Sequence, residues 1–137
     1  MLDKWNVFNE TTFAGVLTYD TEKKTFLFEL KNESLREYAS AHLNFDKDQN
    51  WFRETLFDRV APPNRVNIRE ILRRHGILQY DAWELLKACN FSTVDDAFWM
   101  TKSMDPNEYY YKCVWGELER RRRDGTLPPD AGVAQGL

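Results

Sequence analysis

The stretch TFAGVLTYDTEKKTFLFEL, residues 12–30, decides the architecture of the N-terminal third of the chain. Two runs rich in β-branched and aromatic residues, 12–20 and 25–30, lie on either side of the polar tetrapeptide TEKK. Such runs joined by a short polar turn are typical of a β-hairpin. The segment WNVF, residues 5–8, is predicted to add an edge strand to this hairpin.

Alternation of side chains along each strand predicts which of them face the core. Because successive side chains point to opposite faces of a sheet, Phe13, Leu17 and Tyr19 are expected to share one face. Gly15 lies in line with them and marks a place for a bulge or for close packing. In the second strand, the residues expected to share a face are Phe26, Phe28 and Leu30.

Downstream of residue 33 the apolar period changes from that of a strand to that of a helix. Capping residues and helix-breaking residues delimit five predicted helices. The first follows Asn32, and the second runs from Asp48 to the stop at Pro62 and Pro63. The third runs from Asn64 to Gly76, the fourth begins at Asp81, and the last runs from Asp105 and Pro106 to Gly125. Residues 92–100 are predicted as either a helical turn or a short strand. The expected fold class is α+β, with an N-terminal antiparallel β-hairpin or small sheet packed against about four α-helices.

Length and composition indicate a folded protein of one domain. The chain has 137 residues, of which 42% are hydrophobic and 15% aromatic, so it has enough apolar surface for a core. We expect one compact domain over residues 1–125 and a flexible C-terminal tail over residues 126–137. The first ten residues do not have the basic region followed by an apolar run that is typical of a signal peptide, and no run approaches the roughly 18 apolar residues of a membrane span. Cys89 and Cys113 lack the spacing of a disulfide framework. A cytoplasmic protein with reduced thiols and no membrane partner is expected.

Four of the five tryptophans fall in separate predicted elements, at Trp51, Trp83, Trp99 and Trp115. The simplest interpretation is that they share one core, because each aromatic ring buries a large apolar area. The alternative is an aromatic-rich interface, since tryptophan, tyrosine and arginine dominate binding hot spots.

The sequence RVNIREILRRHG, residues 65–76, places Arg65, Arg69 and Arg73 four residues apart on one side of a predicted helix. Arginine at this spacing is suited to phosphates or to an acidic partner, because its planar fork is bidentate and permanently charged. An amphipathic helix with a solvated basic face would have the same pattern. The predicted buried stripe of this helix consists of Ile68, Ile71, Leu72 and His75.

A second basic cluster, the run from Arg120 to Arg123, lies at the predicted end of the last helix. The helix dipole favours cations there, although four in succession exceed what capping requires. In the preceding YYY triplet, at least one tyrosine must be exposed, and Tyr109 is the predicted one. The predicted partner-binding residues are therefore Arg65, Arg69, Arg73, Tyr109, Arg120, Arg121, Arg122 and Arg123.

Residues for catalysis or metal binding are hard to find in the sequence. His42 and His75 are the only histidines, and with two distant cysteines they offer no metal-ligand spacing. No glycine-rich phosphate loop occurs, and the adjacent Asp95 and Asp96 point apart instead of forming a carboxylate pair. No enzymatic activity, cofactor or metal site is predicted.

Three phrases occur in an order that resembles a known family. The phrase RVAPPNR has the form R-x-x-P-x-x-R at Arg59, Pro62 and Arg65, and Gly76 then ends a helix. The closing phrase D-x-F-W lies at 96–99. Together they resemble the small module that precedes the kinase domain in HipA-like bacterial proteins, over about residues 50–100. Only 38 residues follow position 99, so a kinase domain is not expected, and the resemblance implies a detached regulatory or recognition module, such as an antitoxin that acts by binding.

The expected function is a non-enzymatic protein-binding module that regulates or inhibits a partner, antitoxin-like or kinase-regulator-like. Two alternatives stay open: a phage or mobile-element anti-defence protein, such as an anti-CRISPR inhibitor of a nuclease, and a nucleic-acid-binding protein. The net charge of −3, with acids beside both arginine clusters, opposes approach to a polyanion. A protein partner is therefore preferred over nucleic acid.

Overall fold

The computed structural model describes residues 1–125, which form an α+β fold as predicted. A four-stranded antiparallel sheet carries six α-helices and two short 3₁₀ turns. The strands are β1 (Leu2–Asn9), β2 (Thr12–Asp20), β3 (Thr25–Leu30) and β4 (Phe98–Thr101). The helices are α1 (Arg36–Leu43), α2 (Gln49–Phe57), α3 (Ile68–Arg74), α4 (Ala82–Ala88), α5 (Tyr109–Lys112) and α6 (Val114–Asp124). The predicted tail lies outside the described residues.

The predicted hairpin is confirmed as β2 and β3, but the N-terminal strand is not at an edge. The strand order is β3-β2-β1-β4. One side of β1 pairs with β2, and residues 6–9 on its other side pair antiparallel with 98–101. Residues 92–100 therefore end in a strand that is far from β1 in sequence, and this strand makes β1 central.

A bulge in β2 changes the face of one predicted core residue. Val7 pairs with Gly15 and Phe8 pairs with Phe13, so Ala14 is the extra residue. An extra residue shifts the alternation of side chains by one position. Phe13 consequently lies on the opposite face from the rest of β2's predicted stripe, which corrects the predicted grouping of Phe13, Leu17 and Tyr19.

The sheet separates two hydrophobic cores. Neighbouring residues Val7 and Phe8 point to opposite faces and belong to different clusters. The larger core lies between one face of the sheet and α1, α2 and α4; it includes Phe26 and Phe28 of β3, as predicted. The smaller core lies on the other face, where α5 and α6 bring residues against Phe8 and Trp99.

The prediction that four tryptophans share one core is wrong. Trp83 lies in the larger core, whereas Trp99 lies in the smaller one with Trp115 partly buried beside it. Trp51 is 50% exposed, because the side of α2 that faces the core is formed by Phe52 and Leu56. The sheet keeps the tryptophans apart, a separation that helical periodicity alone cannot show.

Most predicted caps are confirmed, and the exception is the arginine helix. Asp48 and Asp81 accept hydrogen bonds from backbone amides at the starts of α2 and α4. Helix α3 begins at Ile68 and not directly after Asn64, and the side chain of Asn67 makes no cap. Its amide oxygen instead accepts a hydrogen bond of 3.1 Å from Nε of Arg65.

The predicted last helix is broken at Cys113, whose backbone is extended. The hydroxyl oxygen of Ser92 accepts a 3.0 Å hydrogen bond from the amide of Val114 at the start of α6. After the break, α6 crosses α5 so closely that a Cβ atom on Gly116 would overlap the carbonyl oxygen of Tyr109. Only glycine permits this crossing.

Replacing Gly116 with alanine is expected to lower the free energy of unfolding by about 1–3 kcal/mol, because the backbone of α5 cannot rotate away as a side chain could. In an uncrowded helix the same substitution stabilises by about 1 kcal/mol. Urea unfolding therefore distinguishes the two cases by sign. A stabilised Gly116→Ala variant would contradict the crossing.

Candidate functional site

The predicted arginine helix lies in a surface excursion that we call the α3 lobe, residues 61–80. The hydroxyl of Tyr80 donates a 2.8 Å hydrogen bond to the carbonyl oxygen of Ala61, which holds the ends of the lobe together. No residue of the lobe is buried. The predicted buried stripe is therefore wrong: its three aliphatic residues are half-buried and His75 is exposed, because this two-turn helix lies at the surface.

The structure brings the three predicted arginines of the lobe to the surface. The side chain of Arg65 donates to Asn67, whereas the side chains of Arg69 and Arg73 make no hydrogen bond or ion pair with any residue that the structure describes. Four arginines against one glutamate give the lobe a charge of +3 in a chain of net charge −3. A depression of about 420 Å³ lies beside the side chains of Arg69 and Arg73, and its other lining residues are Leu72, Gly76, Ile77 and Leu78.

Apolar side chains are also exposed on the lobe. Val66 and Leu78 are fully exposed, with relative accessibilities of 104% and 99%. Exposed apolar surface next to polar groups is typical of interaction sites. The lobe therefore combines cations that lack partners with apolar residues that lack a core.

The second predicted cluster does not form a patch of free cations. The guanidinium of Arg120 pairs with two carboxylates of the same helix, with Nη2 3.0 Å from Glu117 and Nη1 3.3 Å from Asp124. Arg121 lies 3.4 Å from the same glutamate. Arg123 stacks over the ring of Tyr110, and Arg122 lines a depression on another side of α6. Their predicted binding role is not tested by this arrangement, although intrahelical pairs occupy two of the four.

Tyr109 is not the exposed tyrosine of the triplet. It is 2% exposed and packs against Trp99 and the crossing α6, whereas Tyr111 is 77% exposed. Burial raises the pKa of the Tyr109 phenol, and the nearby Glu10 and Glu119 add to this effect. The predicted exposure of Tyr109 is therefore wrong, because the close crossing of α5 and α6 buries this residue and leaves Tyr111 at the surface.

A buried ion pair that sequence reasoning did not predict joins two of the phrases in the family resemblance. Nη1 and Nη2 of Arg59 donate to the two carboxylate oxygens of Asp96 at 2.7 and 2.9 Å. Both side chains are about 95% buried or more. Arg59 also donates to the carbonyl oxygen of Phe91 and stacks on that ring at 4.1 Å. In the sequence, the resemblance phrases were the only signal for this pair. These contacts of Arg59 are all with buried groups of the same chain, so the pair contributes to the fold.

Each edge of the sheet has one residue whose backbone is hydrogen-bonded by a residue outside the sheet. At β3, Gln49 accepts from the amide of Phe26 and donates to its carbonyl oxygen, at 2.6 and 2.7 Å. At β4, the backbone carbonyl oxygen of Asn90 accepts from the amide of Met100 at 2.9 Å, and its side chain donates back at 3.4 Å. These contacts block strand addition by a partner at the two positions.

Two adjoining depressions form what we call the acidic groove. The first, of about 470 Å³, lies between the β1–β2 turn and α6, and the second, of about 360 Å³, lies between α1 and α2. They meet at Asp95 and Asp96, which line both. Aromatic side chains contribute to the walls: Tyr38, Tyr109 and Trp115 in the first depression, Trp51 in the second.

Neither the groove nor any other part of residues 1–125 brings together three histidine, cysteine or acidic side chains in a way that could hold a metal ion. Cys89 and Cys113 are free thiols. The helices of the described residues are all too short or too polar to cross a membrane.

No protein-family model, curated protein or solved structure matches the chain. The resemblance to the N-terminal module of HipA-like kinase proteins therefore stays a prediction, carried by the residues of the three phrases.

Proposed function

We propose that the protein is a cytoplasmic, non-enzymatic binding module that regulates or inhibits a protein partner through the α3 lobe. The observation that carries this proposal is the pair Arg69 and Arg73, which have no partner among the described residues, on the same lobe as the fully exposed Val66 and Leu78. Isolated guanidinium groups are suited to bidentate pairing with carboxylates. A partner surface that is both acidic and apolar would satisfy both kinds of side chain.

The mixed character of the lobe favours a protein over a nucleic acid. Phosphate contacts require a concentration of cations, and the lobe carries only +3 within a chain whose total is −3. Val66 and Leu78 would gain nothing from a phosphate backbone. Because the sheet edges are occupied at Gln49 and Asn90, side-chain contacts of the lobe are preferred to strand addition.

The double variant Arg69→Glu/Arg73→Glu is expected to weaken partner binding at least thirtyfold, since losing a hot spot costs about 2 kcal/mol or more. The partner is captured from the cells of origin with a photo-crosslinker at position 78, purified, and titrated with wild type and variant. Its own activity is assayed with and without the wild-type protein. The matched control is Lys4→Glu/Lys23→Glu, which makes the same charge change at two exposed sites away from the lobe.

Equal partner binding by the lobe variant and the control variant would contradict the proposal. Fluorescence anisotropy with duplex and single-stranded oligonucleotides at two salt concentrations tests the competing function. We expect only weak binding, with Kd of roughly 10⁻⁴–10⁻⁶ M. Nanomolar, salt-sensitive binding that is lost in the Arg69→Glu/Arg73→Glu variant would assign the lobe to nucleic acid instead.

A further inference from the structure

We propose that the α3 lobe of one copy docks into the acidic groove of a second copy, so that the protein associates with itself when no other partner occupies the lobe. This inference rests on the same lobe as the proposed function. It adds a second surface, the groove, and names its occupant.

The groove holds nearly all the carboxylates that the fold leaves unused. Six carboxylate side chains in residues 1–125 make neither an ion pair nor a hydrogen bond, and Glu37 is the one that lies elsewhere. The other five line the groove: Glu10, Glu54, Asp58, Asp95 and Glu119. The remaining acids pair with bases, cap helices or hold turns, so this concentration is not a general property of the surface.

Few positive charges offset the carboxylates of the groove. Arg59 lines the groove, but its guanidinium is taken up by Asp96 at 2.7 Å. Arg122 is the other arginine in the lining. With five unused carboxylates against Arg122, the groove has a charge of about −4 where the lobe has +3. The two surfaces are complementary in sign and similar in magnitude.

Apolar groups are present on both sides of the proposed contact. Val66 and Leu78 are fully exposed on the lobe, and Trp51 is half exposed in the groove. Lys47 lies over one face of the Trp51 ring, with its Nζ 5.5 Å from the ring centroid. An arginine at the other face would meet an aromatic surface as well as the carboxylates of the groove, an arrangement that stabilises guanidinium groups. The contact would therefore bury apolar surface as well as pair charges.

A second copy is the occupant because the chain does not fill its own groove. The Tyr80–Ala61 hydrogen bond holds the lobe between α2 and α4. In this position Arg69 and Arg73 reach none of the groove's carboxylates. Another copy supplies five carboxylates without any change in the fold, and its own lobe is equally unsatisfied.

Because the contact joins two different surfaces, each surface can be changed in a separate variant. The lobe variant Arg69→Glu/Arg73→Glu keeps the groove, and the groove variant Asp58→Lys/Asp95→Lys keeps the lobe. Each variant alone is expected to associate at least tenfold more weakly than wild type. An equimolar mixture is expected to form a one-to-one complex, because the intact lobe of one variant meets the intact groove of the other.

Sedimentation velocity at low and high salt, over a range of protein concentrations, measures these outcomes. We expect wild type and the Lys4→Glu/Lys23→Glu control to associate at low salt and to dissociate at high salt, as charges near the surface are screened. Circular dichroism verifies that each variant is folded. A monomeric wild type at the highest soluble concentration in low salt, or a mixture that stays monomeric, would overturn the inference.

The groove variant also separates this inference from the proposed function. Its lobe is unchanged, so it is expected to bind the cellular partner at least as tightly as wild type does. If the lobe variant loses the partner while wild type never self-associates, the proposed function stands and the self-docking inference fails. If wild type self-associates and the mixture forms the complex, but the lobe variant binds the cellular partner as tightly as wild type does, the self-docking inference stands and the proposed function fails.

Discussion

Replacing Trp99 with alanine is expected to lower the free energy of unfolding by about 3–5 kcal/mol, as for other fully buried large side chains. Trp99 has no exposed surface and stacks on Phe8 with ring centroids 5.1 Å apart. Its indole nitrogen donates to the carbonyl oxygen of Glu10, in the β1–β2 turn. The substitution would leave a cavity in the smaller core and would leave that oxygen without its donor. Urea denaturation measures the loss.

The matched control for this prediction is Trp51→Ala. Trp51 is the same residue type in a regular helix, but half of its surface is exposed. We expect a loss of about 1 kcal/mol or less, because little apolar area leaves the interior. Similar losses at the two positions would mean that the smaller core contributes no more than the surface does.

Replacing Asp96 with asparagine is expected to cost about 3–5 kcal/mol, because the buried guanidinium of Arg59 would lose its countercharge. Asparagine keeps the size of the side chain and an oxygen for the amide of Phe98, which donates to Asp96 at 2.9 Å. The variant therefore tests the charge and not the shape. Chemical denaturation with the linear extrapolation gives the difference in the free energy of unfolding.

The neighbouring residue provides the control for this second prediction. Asp95 is exposed and has no ion-pair partner in residues 1–125, so Asp95→Asn is expected to change stability by less than about 0.5 kcal/mol. The double variant Arg59→Met/Asp96→Leu removes both charges and should recover much of the loss. If Asp96→Asn left the free energy of unfolding unchanged, the ion pair between Arg59 and Asp96 would not be what holds the end of α2 against the start of β4.

These stability experiments also bear on function, because they divide the resemblance phrases into two groups. Arg59, Asp96 and Trp99 are buried and fix the fold. Arg65 lies on the exposed lobe, where its loss should change binding far more than stability. The three phrases therefore contain three buried residues of the scaffold and one arginine on the exposed lobe.

Local features of the structure were predictable from the sequence. The alternation in residues 12–30 produced the hairpin, and Asp48 and Asp81 capped the helices that follow them. Gly76 ended the arginine helix with a positive φ of 70°. Each of these features is decided by residues within a few positions of one another, so neighbouring side chains and backbone groups suffice to specify it.

Features that depend on distant residues were decided only by the tertiary structure. Strand β4 pairs with β1 across most of the chain, and this pairing makes β1 central and divides the tryptophans between two cores. Arg59 meets Asp96 across 37 positions. Helix periodicity predicts that a stripe is apolar, but not whether another element covers it, and for this reason His75 and Tyr109 were assigned to the wrong environments.

The same distinction applies to the functional surfaces. Arg69 and Arg73 are one turn apart in α3, so their spacing in the sequence was enough to place them on the same side of the helix, whereas Arg65 precedes the first residue of α3. The acidic groove is formed by residues from Glu10 to Arg122 on separate elements. No periodicity records such a grouping, because long-range packing alone decides which surface carboxylates come together and which of them find a partner.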